Sequence, residues 1–150
     1  MDFELPELDR NATKEQVEKA LSKYRLYKSI LPDEREASTT ASYDAIGGGR
    51  SNSITDQTSS IAIDNADEAA YRKRFCERLE RAVNRLPKLE KFLIEERYMR
   101  EDAEYITDYK VYSFVFQPPI SEKTYAKIRW KAFYKLALNM NIAVIQTPGS

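Results

Sequence analysis

Apolar and polar positions alternate with a helical period over most of the chain, most clearly in residues 121–140, SEKTYAKIRWKAFYKLALNM. There Tyr125, Ile128, Ala132, Leu136 and Met140 recur at spacings of three and four. That spacing gathers them into one stripe of an α-helix, predicted to pack inward. Ser121 is the expected N-cap, because its hydroxyl can take an orphan backbone N–H of the first turn. Lys123, Lys127, Lys131 and Lys135 repeat every fourth position, so a row of ammonium groups is expected on another side, roughly opposite the core at its start.

Upstream, Thr13-Lys14-Glu15-Gln16 reads as a capping box and predicts a helix starting at Thr13. Its stripe would be Val17, Ala20, Leu21, Tyr24, Tyr27 or Lys28, and Leu31, with Pro32 as the stop. A helix of that length cannot bury its stripe alone, so it packs either on the C-terminal part or on a second copy of the chain. Residues 37–66 turn to Ser, Thr, Asn, Asp and Gly, a flexible linker composition, with Ile54, Ile61 and Ile63 offering a short strand as the alternative. The triplet Gly47-Gly48-Gly49 with Arg50 lacks the lysine and the strand-then-helix setting of a phosphate loop.

Helical spacing returns over residues 64–86, with Tyr71, Phe75, Leu79, Ala82, Val83 and Leu86 on one face. Pro87 either ends that helix or opens the next, whose inward stripe is predicted as Leu89, Phe92, Leu93 and Met99. The run YKVYSFVF at 109–116 has strand propensity. Its context favours a helix: Thr107 or Asp108 can cap it, Val111, Tyr112 and Val115 share one helical face, and Pro118-Pro119 forces a turn before Ser121. A short helix, a turn and a longer amphipathic helix make a helix-turn-helix. The expected fold is all-α: an N-terminal helical segment 1–36, a flexible linker 37–66 and a helix-turn-helix domain 67–150.

Composition narrows the function. With 32% charged residues and no long apolar run, the chain reads as soluble. The opening MDFELPELDR carries no basic-then-apolar leader, so a cytoplasmic protein without a membrane partner is expected. No histidine and a single cysteine, Cys76, exclude an internal disulfide and the usual zinc sets, and remove the common general bases. No enzyme activity, cofactor or metal is expected. Net charge is zero, yet residues 121–140 hold five cations against one carboxylate. A basic stripe of this kind is either a solvated lysine face or an anion-binding surface.

Residues 86–136 resemble region 4 of bacterial sigma factors. Leu86-Pro87-Lys88-Leu89-Glu90 leads to Arg97-Tyr98, and Ile120, Ser121, Glu122-Lys123-Thr124, Tyr125, Ala126-Lys127, Ile128 and Ala132-Phe133-Tyr134-Lys135-Leu136 keep the register of the recognition helix. The turn departs from that pattern, with Phe116-Gln117-Pro118-Pro119 in place of a shorter turn through glycine. The whole chain is similar to the ArpU (autolysin regulatory protein) family of phage late-gene transcriptional regulators. Leu5-Pro6-Glu7-Leu8-Asp9, Ala12-Thr13, Val17, Ala20-Leu21, Lys23-Tyr24-Arg25 and Tyr27-Lys28 carry that likeness, together with the Ser/Gly-rich middle and the C-terminal helices.

The resemblance implies a sequence-specific regulator in the bacterial host that binds double-stranded DNA at a late promoter region. Host RNA polymerase and a second copy of the chain are candidate partners. Glu122, Lys123, Ala126 and Lys127 are expected at base edges, and Ser121 and Thr124 at phosphates. Arg129, Lys131 and Arg100 are at most backbone candidates, and Lys135 is expected at most to neutralise phosphate. Trp130 and Tyr134 point away from the packed stripe and need a cover, either Tyr24 and Tyr27 of the N-terminal helix or a second subunit. The alternative from another class is a helical adaptor or packaging-assembly module whose basic helix binds an acidic protein partner.

Overall fold

The computed structural model describes residues 7–30 and 52–147, with side chains from residue 66 onward in the second stretch. The described chain is helical, as its periodicity predicts: α1 (Arg10–Ile30), α2 (Asn52–Asn84), α3 (Lys88–Ile94), α4 (Asp108–Lys110) and α5 (Glu122–Asn139). α3 and α4 run on into wider π turns, Glu95–Met99 and Val111–Val115, with a 3₁₀ turn at Ala103–Tyr105 between them. The 109–116 run is therefore helical through Val115 despite its strand propensity, with Phe116 as its extended C-cap. Pro87 opens α3, where its missing N–H is no loss. The chain divides into two compact units, Met1–Leu26 with Glu77–Ser150, and Tyr27–Cys76.

In the first unit, Val17, Leu21 and Tyr24 of α1 are buried, as are Leu79, Ala82, Val83 and Leu86, then Leu93, Ile94 and Tyr98. The stripe of α5 is buried at Tyr125, Ala132, Leu136 and Met140, with Phe133 and Ala137 beside it, while Ile128 is only half-buried. Burying side chains of this size contributes about 1.5–3 kcal/mol each. α3 is rotated from the expected stripe: Leu89 is exposed and Glu90 is buried, because Lys135 of α5 donates to both Glu90 carboxylate oxygens at 2.9 and 3.2 Å.

The start of α1 differs from the capping-box expectation. The helix begins at Arg10, and the Asp9 carboxylate caps it by accepting from Ala12 N–H at 3.0 Å. Thr13 lies inside the first turns and is fully buried. Its hydroxyl donates to the Val144 carbonyl at 3.2 Å and accepts from the Val144 N–H at 3.1 Å. Asp9 N–H to Val144 O, Gln146 N–H to Glu7 O and the isolated antiparallel bridge between Leu8 and Ile145 bind the two ends of the unit together. α5 reaches that junction through a Schellman ending. Asn141 adopts φ 60, Ile142 N–H returns to the Ala137 carbonyl and Asn141 N–H to that of Leu138. Asparagine tolerates the left-handed position better than most residues with a Cβ.

In the second unit, Tyr27 meets Tyr71 and Phe75 edge-on, at centroid distances of 6.2 and 5.5 Å. Residues 37–51 of the expected linker, with the glycine triplet and Arg50, lie outside the described residues. From Asn52 the backbone is helical, so the strand alternative at Ile61 and Ile63 is not realised. No glycine or proline interrupts residues 52–84, and a continuous helix therefore meets no breaker there.

Candidate nucleic-acid interface

Two side-chain caps set the ends of the unit that presents α5. Thr107 accepts from Lys110 N–H at 3.1 Å and starts α4, and Ser121 accepts from Thr124 N–H at 3.1 Å and starts α5. Both expected caps are present. Between them, the proline-containing turn is closed by Ile120 N–H donating to the Tyr112 carbonyl at 3.0 Å and by the Gln117 side chain donating to the Phe114 carbonyl at 2.9 Å. Phe116 anchors it from below, buried and edge-on to Phe92 at 5.0 Å and Tyr125 at 6.4 Å. The long turn is thus a tied loop.

Asp108 holds α5 against the supporting helices. With Thr107 serving as the cap, the Asp108 carboxylate is free to accept from Arg97 Nε at 2.8 Å, the Tyr125 hydroxyl at 2.7 Å and Arg129 Nη1 at 2.9 Å. Burial by itself would raise the Asp108 pKa, but the Tyr125 hydroxyl and the two guanidinium groups outweigh it and hold the carboxyl below its ordinary value. Burial, and then the bond to Asp108, pushes the Tyr125 hydroxyl far up, so it remains a donor. These charge-assisted bonds join the π turn after α3, the start of α4 and the first half of α5. Asp108 entered the sequence reading only as a possible cap; an acidic residue beside a better cap, with two arginines and a tyrosine to pair, is the signal that was there to find.

The expected contact residues separate into two groups. Glu122, Lys123, Ala126, Lys127 and Lys131 are exposed on α5, all but Lys131 in its first half. Ser121 and Thr124 are exposed beside them, their hydroxyls bonded to each other at 3.0 Å. Arg129 stands apart, with its side chain 17% exposed, paired with Asp108 and stacked over the Tyr125 ring at 5.6 Å. Lys135 also stands apart, tied to Glu90. A step of four residues overshoots a full helical turn by about 40°, so the lysine row drifts by about 120° from Lys123 to Lys135 and ends facing α3. Among the described residues no carboxylate pairs with Lys123, Lys127 or Lys131.

These lysines border an open groove of about 380 Å³ lined by Arg10, Lys123, Ala126, Lys127, Trp130 and Lys131. Arg10, the first residue of α1, was not among the expected contacts. Its guanidinium carbon lies 4.9 Å from the centroid of the Trp130 ring, and Trp130 meets Tyr134 edge-on at 6.1 Å. The cover expected for Trp130 is thus supplied by the N-terminal helix, but through Arg10. Tyr24 instead donates to Glu80 at 2.7 Å, and Tyr27 belongs to the second unit. On the other side of Arg10 a second hollow is lined by Glu7, Asp9 and Asn11 with Trp130 and Tyr134, so acidic and basic linings adjoin at that arginine.

Among proteins already described, the chain is similar to an uncharacterised phage-related protein of Listeria innocua. The two are 25% identical over 142 residues, which cover 95% of this chain and 96% of that protein. No protein-family model and no solved structure matches the chain. Among the described residues no helix is long and apolar enough to cross a membrane.

Proposed function

We propose that this chain is a sequence-specific, double-stranded DNA-binding regulator of phage late genes, of the ArpU kind, with a C-terminal module like sigma factor region 4. The observation that carries the reading is the basic face of α5: Lys123, Lys127 and Lys131 line one groove without a carboxylate partner among the described residues, while other cations of the same helix are engaged internally. A capped helix presented after a tied turn, with exposed side chains on its first half, suits insertion into a major groove. The likeness to a phage-related protein agrees with a phage setting.

In this reading Lys127 and Lys123 donate to guanine edges or phosphates, and Glu122 accepts from cytosine N4. Ser121, Thr124 and Lys131 lie against the sugar–phosphate backbone, and Arg129 acts from behind by orienting the helix. The test is footprinting of the full chain on the late promoter region of its phage, with Lys127→Ala beside it. A protected site, weakened by about 1–3 kcal/mol in the variant with little change on random DNA, is expected. No protection, or an unchanged footprint in the variant, contradicts the reading.

A protein partner is favoured by one separate observation. Tyr105, Tyr109 and Phe114 are 81%, 60% and 62% exposed near α4, more aromatic surface than a solvated helix requires. Host RNA polymerase would meet the regulator there, whereas an adaptor would use the basic face itself. Binding of an acidic protein through Lys127 with no affinity for duplex DNA would select the adaptor.

A further inference from the structure

We infer that Arg10, lying over the Trp130 ring, is a phosphate-binding residue of the same groove, so that the start of α1 belongs to the DNA-contacting surface. This rests on the DNA reading of α5 and adds a contact from a helix remote from it in sequence. A cation–π contact uses none of the guanidinium N–H groups as hydrogen bonds to an acceptor oxygen, so they remain able to donate to a phosphate. Arg10 is exposed, its guanidinium carbon is 4.9 Å from the Trp130 centroid, and it lines the groove with Lys123, Lys127 and Lys131. Among the described residues no carboxylate pairs with it, although Glu7 and Asp9 line the adjoining hollow.

Like charges at i, i+4 repel, and a fourth cation carried in from α1 adds to that repulsion. Four cations around one groove, with no carboxylate among the described residues of its lining, suit a polyanion, whose phosphates would supply counter-charges. A forked donor positioned by an aromatic ring is suited to two oxygens of one phosphodiester. Glu7 and Asp9 repel phosphate on the far side of Arg10 and mark the edge of the surface. Trp130 is a positioning residue in this arrangement, and the contact it positions carries no sequence information.

The test uses the full chain and a labelled random-sequence DNA duplex, with binding measured across a salt series. Arg10→Gln should lower the slope of log K against log salt by about one unit, and Arg10→Lys, which keeps the charge, should retain the slope. Because the chain has a single tryptophan, its fluorescence reports on the Arg10 stack directly. In the wild type it should change on titration with the duplex and saturate with the binding curve, a readout that needs no folded variant. An unchanged slope in Arg10→Gln, or a silent Trp130 while the duplex binds, overturns the inference. If Lys123→Gln with Lys131→Gln still weakens binding, the DNA reading survives that outcome. If the wild type does not bind the duplex, or that double variant binds unchanged, the reading of α5 itself fails and the inference with it.

Discussion

α5 carries two sets of cations that differ in what faces them. Lys123, Lys127 and Lys131 look onto an open groove with no carboxylate among its described lining residues, while Arg129 and Lys135 are met by Asp108 and Glu90. Lys135 is the same residue type as the open set and continues its four-residue spacing. What separates them is the helical drift of a four-residue repeat and the acidic groups that α3 and α4 place in its path. A basic helix is therefore not a single surface. One part of its charge is spent on holding the helix in position, and the rest is available to a partner.

The comparison implies that internally paired positions govern stability and unpaired ones govern binding. The largest effect on folding is expected at Asp108. Asp108→Ala leaves Arg97, Tyr125 and Arg129 without their shared acceptor and should destabilise the protein by about 1–3 kcal/mol in urea unfolding at neutral pH. The same carboxylate predicts a pH dependence. Its folded pKa lies below the ordinary carboxylate value, so its contribution is complete above about pH 4 and is lost as pH falls through the lower folded value. Wild type should lose stability in that acid range more steeply than Asp108→Ala; parallel curves would remove Asp108 from its central place.

Lys135→Ala should come next, at about 1 kcal/mol, because it leaves a mostly buried Glu90 carboxylate without its ammonium. Duplex binding by this variant should change little. Such a loss departs from the sequence expectation that Lys135 at most neutralises phosphate. A stability change within the error of the unfolding curve would place Lys135 back with the exposed set.

Lys127→Ala should show the reverse, moving stability by less than about 0.5 kcal/mol while weakening specific binding. Equal unfolding midpoints for Lys127→Ala and Lys135→Ala would erase the distinction between the two sets.

Much of this arrangement was legible in the residues. The helical class, the caps Ser121 and Thr107, the helical segment at 108–115 and most of the inward stripe of α5 follow from local periodicity and capping chemistry, which need only neighbouring positions. What escaped is long-range. Thr13 looks like a cap by its short pattern, and only the return of Val144 across 131 residues makes it a buried partner of the backbone. Leu89 and Glu90 exchange roles because Lys135 draws the carboxylate inward, and no local pattern encodes a salt bridge 45 residues apart. The pairing of Arg10 with Trp130 is of the same kind, since a cation–π contact between two helices leaves no periodic trace.

The most direct test of the two-set account is the salt dependence of duplex binding by a full-length variant carrying Lys123→Ala, Lys127→Ala and Lys131→Ala together. Each neutralised phosphate adds about 0.9 to the slope, so the account predicts a slope smaller by about two to three units in a protein that unfolds at the same urea concentration as wild type. A slope equal to that of wild type, in a variant that is equally well folded, would contradict it.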